Sequence, residues 1–474
     1  MTAQTILPAN SVTGGFDVVN SAMFDGTSAY MHKTPDSGPS SADLFTISVW
    51  VKRCAIGSSN RQVIFDARED SENFDRISIN SNVLEWKGIR SDSQVFNLTT
   101  NRVFRDPSAW YHLHFIWDSA DGTANNRMRI YVNGVQETSF GTRANPSQNV
   151  DAIIGADGEV NSVGSGARSG DFWDGYMAEF AYLDGQELTP DGNTGEFEED
   201  SGIWKPIKVS GLTFGTNGFY LDFQASGNLG NDANGGTDLT EVGFAATDQS
   251  TDTCTNNFAT FNPLNNLGSN IAYSEGNLVI TPGTSDYKTC ISSIAVDSGK
   301  WYAEFKAVSG HNGSTDVSVG IVGADDHIAS TGSKAMSAYV SSFSYGSGGL
   351  VKKYNDSTIR TDATYTDDDI IGIAVDMDNL KLYWSKNGTY NNSGDPTSGA
   401  TGTGAVAITP AQLYYIAVAT ISSGGVKVFA ANFGSPPYSE SGGNSDADGH
   451  GNFLTAPPSG YFALNTKNLA EYGG

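Results

Sequence analysis

Residues 112–136 read HLHFIWDSADGTANNRMRIYVNGVQ, a pattern typical of a β-hairpin. Apolar and more polar residues alternate up to Asp118, and they alternate again from Met128 after a polar loop. Alternation with a period of two residues marks strands that bury one face. Asn133-Gly134 then favours a tight hairpin turn, because both central positions of that turn need positive φ. The residues predicted on the buried face are Leu113, Phe115, Trp117, Met128, Ile130 and Val132.

Residues 369–390, DIIGIAVDMDNLKLYWSKNGTY, show the same pattern a second time. An apolar strand ends at Asp376, a second strand follows, and Asn387-Gly388 supplies another predicted hairpin turn. One pattern that occurs twice in a chain predicts two sandwiches of related design. The residues predicted on the buried face are Ile371, Ile373, Val375, Leu380, Leu382 and Trp384.

The composition also indicates an all-β protein. The chain has 474 residues, 55 of them glycine, and runs of helix-forming residues at helical spacing are nearly absent. Many short strands and turns give such a composition, and a chain of this length exceeds a single core. The predicted fold class is therefore all-β, with two antiparallel β-sandwiches joined by a long ordered connection.

The charge excludes two classes of partner. Lysine and arginine number 27 and aspartate and glutamate number 53, so the net charge is −26. Nucleic-acid binding needs clustered basic residues that neutralise phosphates, and the sequence has no such cluster. An anionic membrane surface is disfavoured for the same reason. Membrane insertion is not expected either, because no apolar run reaches about 18 residues.

Cys54, Cys254 and Cys290 are too few and too scattered for a disulfide framework or a zinc site. They predict synthesis in a reducing cytosol. The N-terminus lacks the basic and apolar regions of a signal peptide, so no such peptide is expected.

Changes in composition predict five segments along the chain. Residues 195–266 are polar and rich in Gly, Asn and Asp, and their length argues against a free linker. The predicted limits are 1–15 for an N-terminal arm, 16–205 for the first sandwich, 206–276 for an ordered connection, 277–437 for the second sandwich and 438–474 for a C-terminal tail.

Six motifs in the first two fifths of the chain resemble a known family in their order and spacing. They are Phe24-Asp25-Gly26, FTISVWVKR at 45–53, Trp110-Tyr111-His112, IYVNGV at 130–135, IIGAD at 153–157 and DGYMAEFAYLDGQELTP at 174–190. Together they resemble the laminin-G-like, concanavalin A-like lectin sandwiches. The resemblance implies a jelly-roll sandwich for this part of the chain.

A second set of motifs resembles a SPRY domain, which is also a bent two-sheet sandwich. The long polar insert at 391–404 departs from the usual SPRY pattern. The motifs are 300–305, 319–321, 345–346, 372–376, 382–388, 415–419 and 431–434.

Residues 195–266 and the closing string PPSGYFALNTKNL at 457–469 resemble segments of tail or virion proteins of marine and cyanobacterial phages. This resemblance implies a virion location after assembly in the host cytoplasm. It also implies that the partners are other virion proteins and host surface polysaccharide. By analogy with such proteins, we expect a homo-oligomer, and specifically a trimer. Two roles stay open. One is a tail fibre or spike-type appendage that recognises glycans, and the other is a capsid or tail decoration protein that uses the sandwiches for adhesion and packing.

Sugar binding combines an aromatic face with groups that bond hydroxyls, usually on loops at the ends of a sandwich. Trp173 and Tyr176, beside Asp174, fit this description in the first sandwich. Tyr345 and Tyr354 flank a glycine-rich turn in the second. These five are the predicted ligand-binding residues. The alternative is that their rings belong to the core or to subunit contacts.

Asp118, Asp121 and Asn125 lie in the polar loop of the first hairpin. The resemblance to laminin-G-like lectins, which often place a cation in this loop, makes them the predicted calcium ligands, and calcium prefers such carboxylate and carbonyl oxygens. The alternative is ordinary turn chemistry, in which Asp and Asn side chains bond nearby backbone groups.

Hydrolysis of glycosidic bonds needs two carboxylates that flank the scissile bond. The closing strand of the first sandwich has only Glu179, and the matching strand of the second has only Glu304. Since neither has an acidic partner at an alternating position, no enzymatic activity is expected.

Overall fold

The computed structural model describes residues 15–57, 61–166, 170–265, 270–283, 286–312, 317–328, 334–410, 413–439 and 442–473. Apart from Gly15, the predicted N-terminal arm lies outside these residues. The chain forms two compact units, of which the first ends at Asn256 and the second begins at Asn257. This boundary falls within the predicted connection 206–276. No helix among the described residues is long and apolar enough to cross a bilayer.

In the described part of the first unit the chain forms eighteen strands. Single turns of 3-10 helix lie at Ala124–Asn126 and Ala246–Asp248. The strands are β1 (Ser21–Asp25), β2 (Tyr30–Lys33), β3 (Leu44–Arg53), β4 (Arg61–Arg68), β5 (Phe74–Asn80), β6 (Val83–Arg90), β7 (Ser93–Val103), β8 (Trp110–Asp118), β9 (Met128–Val132), β10 (Val135–Gln136), β11 (Phe140–Ala144), β12 (Val160–Val163), β13 (Asp174–Asp184), β14 (Gly195–Phe197), β15 (Trp204–Pro206), β16 (Phe219–Leu221), β17 (Thr240–Val242) and β18 (Gln249–Ser250).

Two antiparallel sheets make up this unit. One has the order β10-β9-β8-β3-β13-β1-β18, with β16 also paired to β13, and the other has the order β11-β7-β6-β5-β4-β12-β2-β17. Strands β14 and β15 pair separately. Leu113 lies opposite Val132 across the β8–β9 pair. This register puts the apolar residues of both strands on the same face.

The main core lies between the two sheets. All six residues predicted on the buried face of the first hairpin belong to it, so that prediction is confirmed. Trp117 stacks on Phe45 with 6.0 Å between ring centroids. Each large buried side chain contributes about 1.5–3 kcal/mol relative to an exposed one, which makes this layer a major source of stability.

The opposite face of the first sheet is buried as well. Trp110 and Trp204 belong to one apolar cluster on that face, and Phe214 and Tyr220 belong to another. We call residues 204–254 the first cover, because Trp204, Phe214 and Cys254 of this segment pack on this face. Other residues of the same segment, such as Phe219 and Leu221, enter the main core. Much of the sequence predicted as a connection is therefore part of the first unit.

The described part of the second unit contains fifteen strands and two short α-helices. Turns of 3-10 helix lie at Pro263–Asn265, Met336–Ala338, Asn391–Ser393 and Pro396–Thr401. The elements are β19 (Ile271–Ser274), β20 (Val279–Pro282), β21 (Lys288–Val296), β22 (Lys300–Ser309), β23 (Ser318–Gly323), α1 (Ala324–Ile328), β24 (Ser342–Gly346), β25 (Leu350–Lys353), β26 (Ser357–Thr361), β27 (Ile370–Asp376), β28 (Lys381–Lys386), β29 (Thr389–Tyr390), β30 (Val406–Ala407), β31 (Tyr414–Thr420), β32 (Val428–Asn432), β33 (Phe462–Ala463) and α2 (Thr466–Tyr472).

This unit also consists of two sheets. One has the order β19-β20-β32-β22-β27-β28-β29, with β30 on β28 and β33 parallel to β22, and the other has the order β21-β31-β23-β24-β25-β26. The residues predicted on the buried face of the second hairpin lie in its core, with Leu380 packed against that core. The predicted fold class is therefore confirmed: the protein is all-β and built from antiparallel sandwiches.

The end of the chain covers the outer face of β22 and β28. Phe453 and Tyr461 form an apolar cluster there with Tyr302 and Tyr383. We call residues 453–463 the second cover. The predicted C-terminal tail thus contributes a strand and a buried layer to the second unit.

Both predicted hairpin turns are confirmed by their backbone angles. Asn133 and Gly134 have φ of 48° and 75°, and Asn387 and Gly388 have φ of 48° and 80°. Each asparagine also accepts a hydrogen bond through Oδ1, from the backbone N–H of His112 and Ile370 respectively, at 2.8 Å. The two asparagines therefore adopt the positive φ that the turns need, and their side chains also stabilise the turns through hydrogen bonds.

Candidate ligand-binding pocket

Four separate segments of the first unit meet around a cavity of about 260 Å³. They are the turn between β1 and β2, the chain after β3, the start of β4 and the loop that precedes β13. The lining residues are Gly26, Ala55, Arg61, Gln62, Asp171, Phe172 and Asp174.

The turn after β1 is held by Asp25. Its carboxylate accepts hydrogen bonds from the backbone N–H groups of Thr27, Ser28 and Ala29 at 2.8–2.9 Å. Burial acts to raise the pKa of Asp25, but these hydrogen bonds and those from the two hydroxyls hold it well below its usual value. Gly26 has φ of 74°, and a Cβ there would lie 2.8 Å from the Cβ of Asp174. A glycine is required for this turn to approach Asp174 so closely.

Asp171 is positioned by two arginines and by its own backbone. Its carboxylate lies 3.8 Å from a guanidinium nitrogen of Arg61 and 3.2 Å from one of Arg76. Its carbonyl accepts a hydrogen bond from Val63 N at 2.9 Å. Asp66 in turn lies 2.6 Å from Arg76 Nε. The loop before β13 is therefore tied to β4 and β5, and one wall of the cavity carries opposite charges side by side.

Gln62 is fixed from below by a buried arginine. Arg53 is 1% exposed, and its Nε donates to Gln62 Oε1 at 2.9 Å. Gln62 Nε2 donates to the carbonyl of Ala55 at 3.2 Å. Burial lowers the pKa of Arg53 to about 10, and the charge of Asp174 opposes that shift. Arg53 stays cationic at neutral pH, so a positive charge lies beneath the polar wall of the cavity.

The aromatic residue in the cavity is Phe172 rather than its neighbour. Phe172 is partly exposed and lies 6.1 Å from the ring of Tyr30. Trp173 is fully buried in the main core together with Met177. Since side chains alternate along an extended chain, Trp173 shares the inward parity of Met177, and Phe172 shares the parity of Asp174.

Three of the five predicted ligand-binding residues are therefore corrected. Trp173, Tyr176 and Tyr345 are 0%, 1% and 0% exposed, so no ring face is available to a ligand. Tyr176 belongs to the apolar cluster under the first cover, and Tyr345 lies in the second core. Asp174 lines the cavity. Tyr354 is 47% exposed in the turn after β25.

The second unit has a smaller cavity of about 120 Å³ near the second predicted site. Ser344 and Gly346, which flank Tyr345, line this cavity from the other side of their sheet. Lys352 and Asp356 also line it and form an ion pair at 3.2 Å. Tyr354 lies between these two in the sequence but is not among the lining residues.

The geometry gives the predicted calcium ligands no support. Asp121 accepts hydrogen bonds from Thr123 N and Asn126 Nδ2, and Asn125 Oδ1 accepts one from Asn145. Across the described ranges, no three or more His, Cys, Asp or Glu side chains are grouped for a metal. Asp121 and Asn125 therefore show the turn chemistry that was the alternative, and calcium binding by this loop stays a prediction.

Glu179 and Glu304 are both buried, at 3% and 1% exposure. Glu179 accepts a short hydrogen bond from the hydroxyl of Tyr220. Glu304 accepts from the backbone N–H groups of Leu454 and Thr455, each at 2.9 Å. Neither glutamate lines either cavity described above. Both bind cover segments to the sheets beneath them.

Of the residues that line the pocket, the predicted ligand-binding set contains Asp174 and lacks Phe172, Arg61 and Gln62, among others. Counting back from Phe180 and Tyr182 gives Phe172 the wrong parity, because a bulge between Ala178 and Ala181 shifts the register of β13 and puts Met177 and Phe180 in the same core. No sequence pattern around Arg61 and Gln62 indicates a binding site. They lie far from Asp171 in sequence, and only the tertiary pairing of strands brings them together.

Comparison with solved structures finds several sandwich folds at low identity. The SPRY domain of human HERC1 is 18% identical, with 36% of this chain and 96% of that chain covered and a TM-score of 0.28. A SAP-like pentraxin from Limulus polyphemus is 18% identical, with 37% and 81% covered and a TM-score of 0.28. Domain 4 of AbnA, an arabinanase from Geobacillus stearothermophilus solved with arabinotriose, is 16% identical, with 36% and 72% covered and a TM-score of 0.26.

Similarities at these identities and TM-scores carry no argument about function. No curated protein matches the sequence. The SPRY-like character of the second sandwich stays a prediction. Residues 25–191 match the family described as the concanavalin A-like lectin/glucanases superfamily, which confirms the lectin-like resemblance of the first sandwich.

Proposed function

We propose that this chain is a glycan-binding protein and that its first unit takes a saccharide in the cavity lined by Arg61, Phe172 and Asp174. The observation that carries the proposal is the set of polar groups that converge there beside an aromatic ring. Arg61 offers donors and Asp174 offers acceptors, while Phe172 offers an apolar edge. Sugars present alternating hydroxyls and C–H faces, and a few fixed polar groups beside an apolar surface match that chemistry.

Pre-organisation supports the same proposal. Gln62 is held by Arg53, and Arg61 lies 3.7 Å from Glu85 and 3.8 Å from Asp171. Side chains that are already fixed lose little conformational entropy on binding, so weak hydroxyl contacts translate into affinity.

The proposed binding is without catalysis. Asp171, one of the two carboxylates in the cavity, is paired with arginines. Burial raises the pKa of Glu179 and Glu304, but both serve the covers and neither reaches a described cavity. Incubation of the protein with any oligosaccharide it binds, followed by a reducing-end assay, should show no increase. A sustained release of reducing ends would refute this part of the proposal.

The finer proposal places the protein on a phage virion, as a tail fibre or spike-type appendage that recognises host surface polysaccharide. Its support is the resemblance of residues 195–266 and 457–469 to phage virion proteins. The proposed assembly is a homo-oligomer, taken as a trimer, in contact with other virion proteins. Assembly would take place in the host cytoplasm.

The second candidate function is a capsid or tail decoration protein. The observation that favours it is the extent of buried layers in both units, since packing modules need rigid cores rather than open sites. Locating the protein in a reconstruction of the virion separates the two roles. Occupancy at capsid symmetry positions would exclude the appendage role.

A glycan array with the full chain tests the binding site itself. Arg61→Ala and Phe172→Ala should each weaken binding of the positive glycans about tenfold, which corresponds to about 1.4 kcal/mol. Arg102→Ala is the matched control, because this arginine pairs with Glu137 and does not line the cavity. An array without positive glycans, or cavity variants that bind like the control, would overturn the assignment.

A further inference from the structure

Lys52, Asp252 and Trp110 form a buried cluster in the first unit that does not line the proposed glycan pocket. Lys52 Nζ lies 2.7 Å from Asp252 Oδ2, and the two side chains are 0% and 1% exposed. The two residues are 200 positions apart in the sequence. Trp110 Nε1 donates to the other carboxylate oxygen, Asp252 Oδ1, at 3.2 Å. An amine, a carboxyl group and a hydrogen-bond donor are thus held together in a site closed to water.

The surroundings of the pair are mainly apolar. The ring of Tyr176 lies 5.5 Å from Lys52 Nζ. The other members of the cluster are Val18, Met23, Trp50, Cys54, Ala178, Trp204 and Cys254, with Phe16 packed against them. Holding two ions in such an environment costs several kcal/mol per ion in desolvation. Transfer of one proton from the ammonium to the carboxylate removes both charges and leaves a primary amine beside a carboxylic acid.

We propose that Lys52 and Asp252 condense into an intramolecular isopeptide bond that locks the first cover onto β3. After the proton transfer, the lone pair of Nζ attacks Cγ of Asp252 and forms the N–C bond. A proton on the nitrogen passes to the Oδ2 hydroxyl, the Cγ–Oδ2 bond breaks, and one water molecule leaves. The amide and the water account for every atom, and no oxidant, reductant or cofactor takes part.

Trp110 has a defined part in this step. Negative charge develops on Oδ1 when the carboxyl carbon becomes tetrahedral, and the indole N–H already points at that oxygen. A fixed donor at a developing oxyanion stabilises the transition state more than the starting acid. Trp110 is therefore a catalytic residue of the condensation, since it contacts a reacting atom.

The close contact between Lys52 Nζ and the Asp252 carboxyl group also favours the condensation. Reactants held in contact behave as if at very high concentration, with effective molarities of about 10⁵–10⁸ M for well-oriented groups. Nζ has only to move from the edge of the carboxyl group to its face. Because the site is buried, the amide that forms is shielded from hydrolysis. The bond closes a very long loop and restricts the unfolded chain, in the manner of a disulfide.

The deciding experiment is the mass of the intact, denatured full chain. We expect a mass lower than the sequence mass by one water, and a branched proteolytic peptide that contains both residue 52 and residue 252. Lys52→Arg, which keeps the charge, should show no loss of water relative to its own sequence. A wild-type chain without the mass deficit and without the branched peptide would overturn the proposal, whether or not any variant folds.

Two further variants test specificity and mechanism. Lys300→Arg is the matched control, because Lys300 Nζ lies 3.5 Å from Asp376 Oδ2 but is 27% exposed, and the mass deficit should persist. Trp110→Phe should give a mixture in which the cross-linked fraction rises during incubation. Complete cross-linking of Trp110→Phe at the moment of purification would overturn the role of the indole.

Discussion

The two covers bury the same face of similar hairpins with different chemistry. In the first cover, Trp204 stacks on His112 with 5.6 Å between ring centroids. In the second, Phe453 and Tyr461 share an apolar cluster with Ala374 and Tyr383 of the hairpin. Each cover comes from a downstream segment that the sequence alone suggested was a connection or a tail. A hairpin can therefore fix its own register and turn, yet leave the partner of its outer face to a distant part of the chain.

The two covers also differ in how many hydrogen bonds the buried glutamate beneath each one accepts. Glu304 accepts hydrogen bonds from two backbone N–H groups, from Tyr302 and from Asn432. Glu179 accepts one from Tyr220, and its Oε1 is buried without a hydrogen-bond partner among the described residues. Burial raises the pKa of Glu179 to about 7, against the lowering effect of the Tyr220 hydroxyl. The number of donors decides how well each buried carboxyl tolerates its charge.

Removing the central ring of the first cover should have the largest effect. Trp204→Ala deletes a side chain that is 4% exposed and also its Nε1 hydrogen bond to His112 Nδ1. We expect the free energy of unfolding of the first unit to fall by about 3–5 kcal/mol. Urea unfolding measures this loss, and hydrogen exchange should rise in peptides of the first cover. Val103→Ala is the control, because that side chain is 47% exposed at the end of β7. Equal effects of the two variants would show that Trp204 does not hold the cover.

The second cover should depend on its glutamate. Glu304→Ala leaves the N–H groups of Leu454 and Thr455 without their acceptor. Each unsatisfied buried donor costs about 1–3 kcal/mol, so we expect a loss of about 2–4 kcal/mol in the second unit. The exchange rates of those two amides are the direct measurement. Glu304→Gln keeps an acceptor oxygen and should lose less, whereas unchanged exchange in Glu304→Ala would contradict the proposed role.

The stability of the first cover should depend on pH through Glu179. Its pKa rises from 4.5 to about 7 on folding, which corresponds to about 3 kcal/mol. Because the folded state favours the protonated form, this stability is fully present below pH 4.5 and is lost as pH rises through about 7. Urea unfolding from pH 4 to pH 8 gives the profile. Glu179→Gln should flatten it, and an equally steep profile in that variant would assign the effect to another group.

The smallest expected effect is the difference in stability loss between alanine substitutions at the two turn glycines, Gly134 and Gly388. Alanine at Gly388 has to adopt φ of 80°, which costs about 1 kcal/mol, and its Cβ meets Thr455 Oγ1 at 2.8 Å. Alanine at Gly134 has the same backbone cost, but its Cβ would lie 2.2 Å from Trp204 Cε3. We expect Gly134→Ala to lose about twice as much stability as Gly388→Ala, measured by thermal unfolding. The difference should vanish in the Trp204→Ala background, and its persistence there would refute the contact.

Some residues of the candidate pocket can be predicted from the sequence and others cannot. The loop that contains Asp174 was predicted because aromatic and acidic residues cluster at the start of a strand. The choice of Trp173 over Phe172 failed, because the parity of β13 turns the indole into the core. Arg61 and Gln62 could not have been predicted, since they join the site only when β4 pairs with its neighbours.

The all-β class, the two hairpins and the buried faces of their strands can all be predicted from the amino-acid sequence. Those features follow from local rules, namely a period of two residues and the positive φ of Asn-Gly turns. The segments that cover the outer faces, the aromatic residue that lines the pocket and the pairing of Lys52 with Asp252 become visible in the folded chain. The physical reason is that such contacts join residues far apart in sequence. Their partners are selected by packing and desolvation across the whole unit, which no local pattern records.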